Sequence, residues 1–370
     1  MTSREGFGTR LWNLALNQES PGSLAEFAAK TLDPDRRDQQ LTVSTFLVDQ
    51  PDAESSVLDR LSQRAGSYLI AAGEAGSVGI LRLRHDEGDF VAAIWPAGHE
   101  DVVHLCASVP YTSARWQLVE RWATGLRPFL ARPYLNEEDF SNIGAALSEF
   151  GYVGVSRASA RKWADGSSWS RGWPGSDPVD RPALAEVLRE AEQAEVSLRT
   201  LSLHVEDALS LHLRRHGGAT YYRGRFDIFS RMVLAPLSAA TAARARLLRG
   251  RGRRVEKAGV SALEIRLASN AFAESTNDLV SALAATPRLG VSIFHRNPYF
   301  HAVLTDYRDG SSYDLYVTQD DRIVLYPGSR ASTGSLASIT EDLGDRFSGL
   351  AVDEASLETP PTLEELFTTG

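Results

Sequence analysis

The sequence predicts an α+β protein of two domains, each built on an antiparallel β-meander sheet covered by helices. Three observations predict it. Residues 290–328 alternate apolar and polar side chains between turn signals, the period of a half-buried strand run. The stretch 41–130 and the stretch 263–347 read in the same order: strand, helix, four strands, helix. Between them, 164–182 (ADGSSWSRGWPGSDPVDRP) is rich in Gly, Ser, Pro and Asp and reads as a linker. The expected division is therefore an N-terminal domain at 1–163, the linker at 164–182, a C-terminal domain at 183–350 and a flexible acidic tail at 351–370.

In chain order, 10–17 and 21–31 read as short helices and 41–49 (LTVSTFLVD) as a strand. Residues 52–65 place Val57, Leu58 and Leu61 on one helical face. Strands are expected at 68–72, 78–84, 90–95 and 102–109. Ser113 then caps a helix over 114–130, another follows at 137–150, and 152–158 is a strand. Beyond the linker come a helix at 183–194, strands at 196–205, 208–215 and 220–225, and a helix running to about Arg251. A strand at 263–268 and a helix at 271–285 lead into the 290–328 meander. There Arg308-Asp309-Gly310-Ser311 reads as a two-residue hairpin, because a type I′ turn needs positive φ at both central positions. That turn pairs Leu304 with Leu315, Ala302 with Val317, His301 with Thr318 and Thr305 with Asp314. Leu336, Ile339, Leu343 and Phe347 give a helix to cover the apolar face.

The strand–helix–four strands–helix order of 41–130 and 263–347 resembles the repeat of the TATA-binding protein family and of related domains in nucleic-acid enzymes. The resemblance is one of element order and implies a leaning toward nucleic acid.

Composition places the chain among globular proteins, and its longest charge-free apolar run, about 232–243, is far short of the roughly 20 residues that cross a bilayer. No leader pattern is read at the N-terminus, so the expected compartment is the cytoplasm, with no membrane partner. A single cysteine, Cys106, excludes a disulfide framework or a cysteine zinc site within one chain, and its apolar setting makes it a small core residue. No nucleotide, zinc or hydrolase signature is present, so no catalytic residue, metal or cofactor is assigned.

Two candidate surfaces remain. Between Leu211 and Lys257 stand twelve cations against two acids, in a chain of net charge -9. Arg214, Arg215, Arg223 and Arg225 interleave with Tyr221 and Tyr222, and Arg244, Arg249, Arg251, Arg253 and Arg254 crowd a helix end. Arginines neutralise phosphates and aromatics stack bases, so the leading expectation is a non-catalytic binding or accessory protein engaging nucleic acid or an acidic protein partner. The second surface is one face of the 290–328 sheet: His295, His301, Thr305, Tyr307, Asp314, Tyr316 and Tyr326. It suits a ligand or partner chain, or a hydrolase or transferase built on its His, Asp and Tyr side chains. Assembly with another protein, without nucleic acid, is the third expectation. Asp306 and Asp309 are assigned to the far face and to the turn. The pairs His99/His104 and His212/His216 are read as structural.

Overall fold

The computed structural model describes residues 40–49, 61, 69–71, 79–85, 88–99, 101–162, 167–175, 180–249, 262–268, 276–296, 299–319, 321–328, 330–347 and 349–355. It is an α+β protein with two antiparallel sheets. The expected helices at 10–17 and 21–31 lie outside the described residues, and of 52–65 only Leu61 is described, in a helix. No described helix is long and apolar enough to cross a membrane.

The chain divides into a larger unit, Met1–Arg249 with Ser332–Gly349, and a smaller one, Gly250–Ala331 with Leu350–Gly370. The boundary thus falls at Arg249 rather than in 164–182. The reason is direct strand pairing across the expected linker. Strands β7 (Val153–Lys162) and β9 (Val196–Val205) are neighbours, and β8 (Ser168–Gly172) pairs back onto β7. Trp169 and Trp173 pack against the same core, as large aromatics do when a surface is offered. Trp163 lies outside the described residues.

The larger sheet is organised on β1 (Leu41–Val48), which is buried along its whole length. The chain then forms a meander of β2 (Leu69–Ala71), β3 (Gly79–His85), β4 (Gly88–Pro96) and β5 (Val102–Ala107), and β5 returns antiparallel to β1. On the other side β1 pairs with β6 (Leu130–Ala131) and β11 (Gly218–Gly224), followed by β10 (Leu209–Arg214), β9, β7 and β8. Helix α1 (Ala114–Gly125), capped by Ser113, lays Trp116, Val119 and Ala123 on the meander half of one face. It stops at Gly125, short of the expected 130, and Leu130 joins the sheet instead.

The opposite face carries the larger core: Val43, Val155, Leu201, Leu203, Leu211 and Leu213 among others. It is covered by α2 (Glu137–Ser148), α3 (Leu184–Gln193) and the helical run α4 (Phe226–Phe229), a π-helical turn (Ser230–Leu234) and α5 (Ala235–Leu248). The π turn precedes Pro236, and Ala235 N–H reaches back five residues to Ser230 O. Burial pushes the Cys106 thiol up to about 12, which suits a core residue and not a nucleophile.

His104 is sealed in the same core between Thr45 Oγ1 at 3.1 Å and Ser238 Oγ at 3.0 Å. Burial pulls its pKa from 6.5 to about 4. The unfolded chain accepts a proton that the folded one refuses, so stability present above pH 6.5 is lost as pH falls toward 4, about 3 kcal/mol for this residue. Urea midpoints from pH 7 to pH 4 are expected to slope downward, and His104→Gln to flatten part of that slope. An unaltered slope in the variant removes His104 from the account.

The smaller unit repeats the same connectivity. β12 (Leu263–Arg266) and α6 (Asn277–Ala284) precede a meander of β13 (Leu289–His295), β14 (Phe300–Asp306), β15 (Ser311–Gln319) and β16 (Arg322–Pro327). The last meander strand again returns antiparallel to the first strand, as β5 does to β1. β17 (Ala351–Glu354) adds to β12, so the expected flexible tail begins as a strand; 356–370 lie outside the described residues.

The hairpin register differs from the expected one by two residues: Leu304 faces Tyr313, Ala302 faces Leu315 and His301 faces Tyr316. The turn spans four residues because Asp306 organises it. Its carbonyl accepts from Gly310 N at 2.8 Å, its carboxylate accepts from Arg308 N at 3.0 Å, and Gly310 takes φ +74. A two-residue slip preserves both faces, so Phe300, Ala302, Leu304, Leu315, Ile323 and Leu325 are buried as expected.

Helix α7 (Thr333–Arg346), expected as the cover of this sheet, is counted with the larger unit. Its acids meet that unit's arginines. Arg127 Nη2 donates to Glu341 Oε2 at 2.5 Å, Arg199 Nη2 donates to Asp345 O at 2.6 Å, and Arg161 donates to the same carbonyl. Tyr134 Oη donates to Gly344 O at 2.5 Å. Desolvation raises the Glu341 pKa, and Arg127 and Arg132 oppose that rise.

Candidate binding surface

The open face of the smaller sheet carries an aromatic ridge. Alternation on β14 and β15 sends His301, Thr305, Asp314 and Tyr316 to this face, and Tyr326 joins from β16 opposite Asp314. His301 and Tyr316 are direct cross-strand partners with ring centroids 4.3 Å apart and planes 7° from parallel. Phe294 stacks on the other neighbouring strand at 5.4 Å and 25°. Tyr326 meets Tyr316 edge-on at 5.6 Å, Tyr299 lies 6.3 Å from Tyr316, and His295 lies 5.5 Å from Tyr299. Tyr307 folds back along the face, its ring lying over Gly290, where a β-carbon would collide with it. His301 Nε2 lies 3.1 Å from Asp314 Oδ1. Desolvation, with Asp314 second, raises the Tyr316 pKa.

Exposure singles this face out. Of the four large hydrophobic side chains exposed among the described residues, Phe294 (62%), Tyr299 (47%) and Tyr307 (71%) belong to it. Sequence reasoning found Tyr307, His301 and Tyr316 but missed Phe294 and Tyr299. Their signal was apolar bulk on either side of the short β13–β14 connection, and a register irregularity between Ile293 and His295 re-aims Phe294.

The ring geometry restricts what the face can do. Neighbouring strands lie about 4.8 Å apart, so rings stacked face to face across them stand upright and present edges to solvent. Bases stack on ring faces, and those of His301 are occupied by Phe294 and Tyr316. His301 and Asp314 have the spacing of a base and its orienting carboxylate, but Phe294 and Tyr316 flank the imidazole on either side. Among the described residues, no group of three or more His, Cys, Asp or Glu is gathered to hold a metal ion.

The arginine-rich region divides between interior and surface, with Arg214 and Arg215 buried and Arg223, Arg225, Arg231, Arg246 and Arg249 exposed. Arg214 is buried, its guanidinium 3.8 Å over the Tyr111 ring, and donates to Thr220 Oγ1. Arg215 is 1% exposed, stacks on Tyr134, and donates to Glu137 Oε1 at 2.9 Å, to Leu198 O at 2.9 Å and to Ser197 Oγ. Arg244 pairs with Asp139, and Arg249 with Asp101. Tyr221 packs on Phe226 and Phe229 and donates to Gly224 O. Arg223, Arg225 and Tyr222 stay at the surface, where Arg225 and Arg231 share Asp227. Arg251, Arg253 and Arg254 lie outside the described residues. The histidine pairs do not converge: His99 is exposed in a turn away from the sealed His104, while His212 meets Ser202 and His216 meets Asp345.

Fold and surfaces together define a two-sheet α+β protein with an exposed aromatic ridge and a basic stretch split between buried and exposed arginines. No family model matches the chain, and no curated protein matches it.

Proposed function

We propose that this is a non-catalytic binding protein that takes an extended segment of a partner protein along β13 and across the aromatic ridge. The carrying observation is the state of that edge. Among the described residues β13 pairs with β14 alone, and its sequence LGVSIFH has no Asp, Glu, Lys, Arg or Pro to repel a further strand. Edge strands of this kind invite strand addition, the hydrogen bonds supplying affinity and alternate side chains supplying specificity. The ridge begins at Phe294 on this edge strand, so an added segment would set alternate side chains against upright ring edges.

Selection from a library of displayed random 12-residue peptides, with the full chain as bait, tests this reading. Enriched peptides are expected to alternate apolar positions and to lose binding to Phe294→Asp and to Ile293→Pro, which removes an edge donor. Peptides that bind both variants as tightly as the parent chain would sink the proposal. Exposed Arg223, Arg225 and Tyr222, with Arg251, Arg253 and Arg254, support nucleic acid as a second reading. A single-stranded oligonucleotide titrated across a salt series separates the two, because phosphate contacts weaken steeply with salt.

A further inference from the structure

The half of the larger sheet that α1 leaves uncovered has a chemistry of its own. On β7, β9, β10 and β11, cross-strand rows of polar residues lie side by side on one face. One row pairs Arg157 with Ser202, Ser202 with His212, His212 with Thr220, and Thr220 with Thr42. The row beside it pairs His204 with Ser210 and Ser210 with Arg223, and the row on the other side pairs Thr200 with Arg214.

These groups are joined by hydrogen bonds. His204 lies 2.9 Å from Ser156 Oγ and 3.0 Å from Ser210 Oγ, which also accepts from Arg223 Nε at 3.3 Å. His212 Nδ1 lies 2.9 Å from Ser202 Oγ. Desolvation first, then Arg181 and Arg223 for His204 and Arg214 and Arg157 for His212, pulls both pKa values to about 4. Imidazoles that weakly basic are poor general bases, so the Ser–His contacts are not catalytic pairs. They are neutral hydrogen-bonding groups held among cations.

Among the described residues, no carboxylate is paired with Arg157, Arg214 or Arg223. Arg214 is 3% exposed, and beyond its contact with Tyr111 its Nε and Nη1 find no acceptor among the described residues. Desolvation draws its pKa down to about 10, with Tyr111 and Tyr222 opposing the fall and Arg132 adding to it. The carboxylate at the border, Glu120 of α1, is engaged by Arg132 and Trp116. Buried cationic donors left without acceptors are costly, and a planar guanidinium fork fits the paired oxygens of an oxyanion. His212 and Arg214, two apart on one strand, are separated by about 7 Å, a gap that a phosphate bridges.

We infer that this face binds an oxyanion of the phosphate or sulfate class, with Arg214 and His212 at its centre and Arg157 and Arg223 at its rim. The ligand enters beside Tyr111 and supplies acceptors to Nε and Nη1 of Arg214. The site is independent of the β13 edge, so Phe294→Asp is expected to leave it intact.

The test is isothermal titration of the full chain with inorganic phosphate at constant ionic strength, with sodium chloride as the control. Saturable binding is expected, weakened about tenfold or more by Arg157→Ala and lost in Arg214→Met, which keeps the packing beneath Tyr111. Arg225→Ala, outside the face, is expected to bind as the parent does. Should Arg214→Met fail to fold, His212→Gln with Arg157→Ala carries the same expectation. Phosphoserine and adenosine monophosphate serve as further ligands: tighter binding of either identifies a phosphoryl group on a larger molecule, and equal binding identifies free phosphate. Heat no different from chloride, or binding undiminished in these variants, overturns the proposal.

Discussion

Replacing Arg215 by alanine is expected to lower the stability of the larger unit by about 2–4 kcal/mol, because it strips buried polar groups of their donor, each loss costing of order 1–3 kcal/mol. Arg215 is the largest fully buried cation among the described residues, and one side chain holds three partners: Glu137 of α2, Ser197 of β9 and the Leu198 carbonyl. Truncation removes a guanidinium stacked on Tyr134 and leaves the Leu198 carbonyl and Ser197 hydroxyl seeking new donors. Arg225→Ala, ten residues on in the same basic stretch, is expected to leave the urea midpoint within experimental scatter, because its pairing with Asp227 is solvent-exposed. Equal losses at the two positions would contradict the division of the arginines into internal and surface groups.

Gly334→Ala is expected to dislodge the first turn of α7 and cost about 2–3 kcal/mol, as forced overpacking does. A β-carbon at Gly334 would fall on the backbone carbonyl of Pro128, which has no rotamer with which to retreat. The same residue donates its N–H to Asp49 Oδ2 at 3.2 Å, so both sides of the contact are lost together. Hydrogen exchange reports this directly. Amides of α7 are expected to lose protection in the variant, while those of β9 and β10 keep theirs. Full protection of α7 would show that the Pro128 contact does not seat the helix.

Much of the architecture was legible because strands announce themselves locally. The alternation of 300–305 and 312–317 predicted which side chains share a face. That survived a register error of two residues, since an even slip moves no side chain through the sheet. What was not legible is long-range. The partners of the basic stretch were hidden because Asp101, Glu137 and Asp139 lie 78 or more residues away from the arginines they meet. No local pattern links Arg215 to Glu137. The polar rows on β7, β9 and β10 were likewise invisible, since Ser202, His204, Ser210 and His212 align only once three strands pair. The domain boundary was misplaced for a related reason. Composition marks where a chain can turn, whereas the pairing of β7 with β9 decides whether it leaves the sheet.

The interleaving of the two units has a consequence for how the chain is made. The smaller unit is inserted within the larger one, whose last helix, α7, follows the insertion; the smaller unit's β17 comes later still. A ribosome must therefore add 214 residues after Arg127 before it can meet Glu341, and β12 gains its outer neighbour later still. The larger unit cannot close before most of the smaller one has been synthesised, so strictly N-terminal-first folding is blocked by topology. Until then the arginines that await α7 remain without it, and synthesis of α7 and β17 is the event that lets the two units complete.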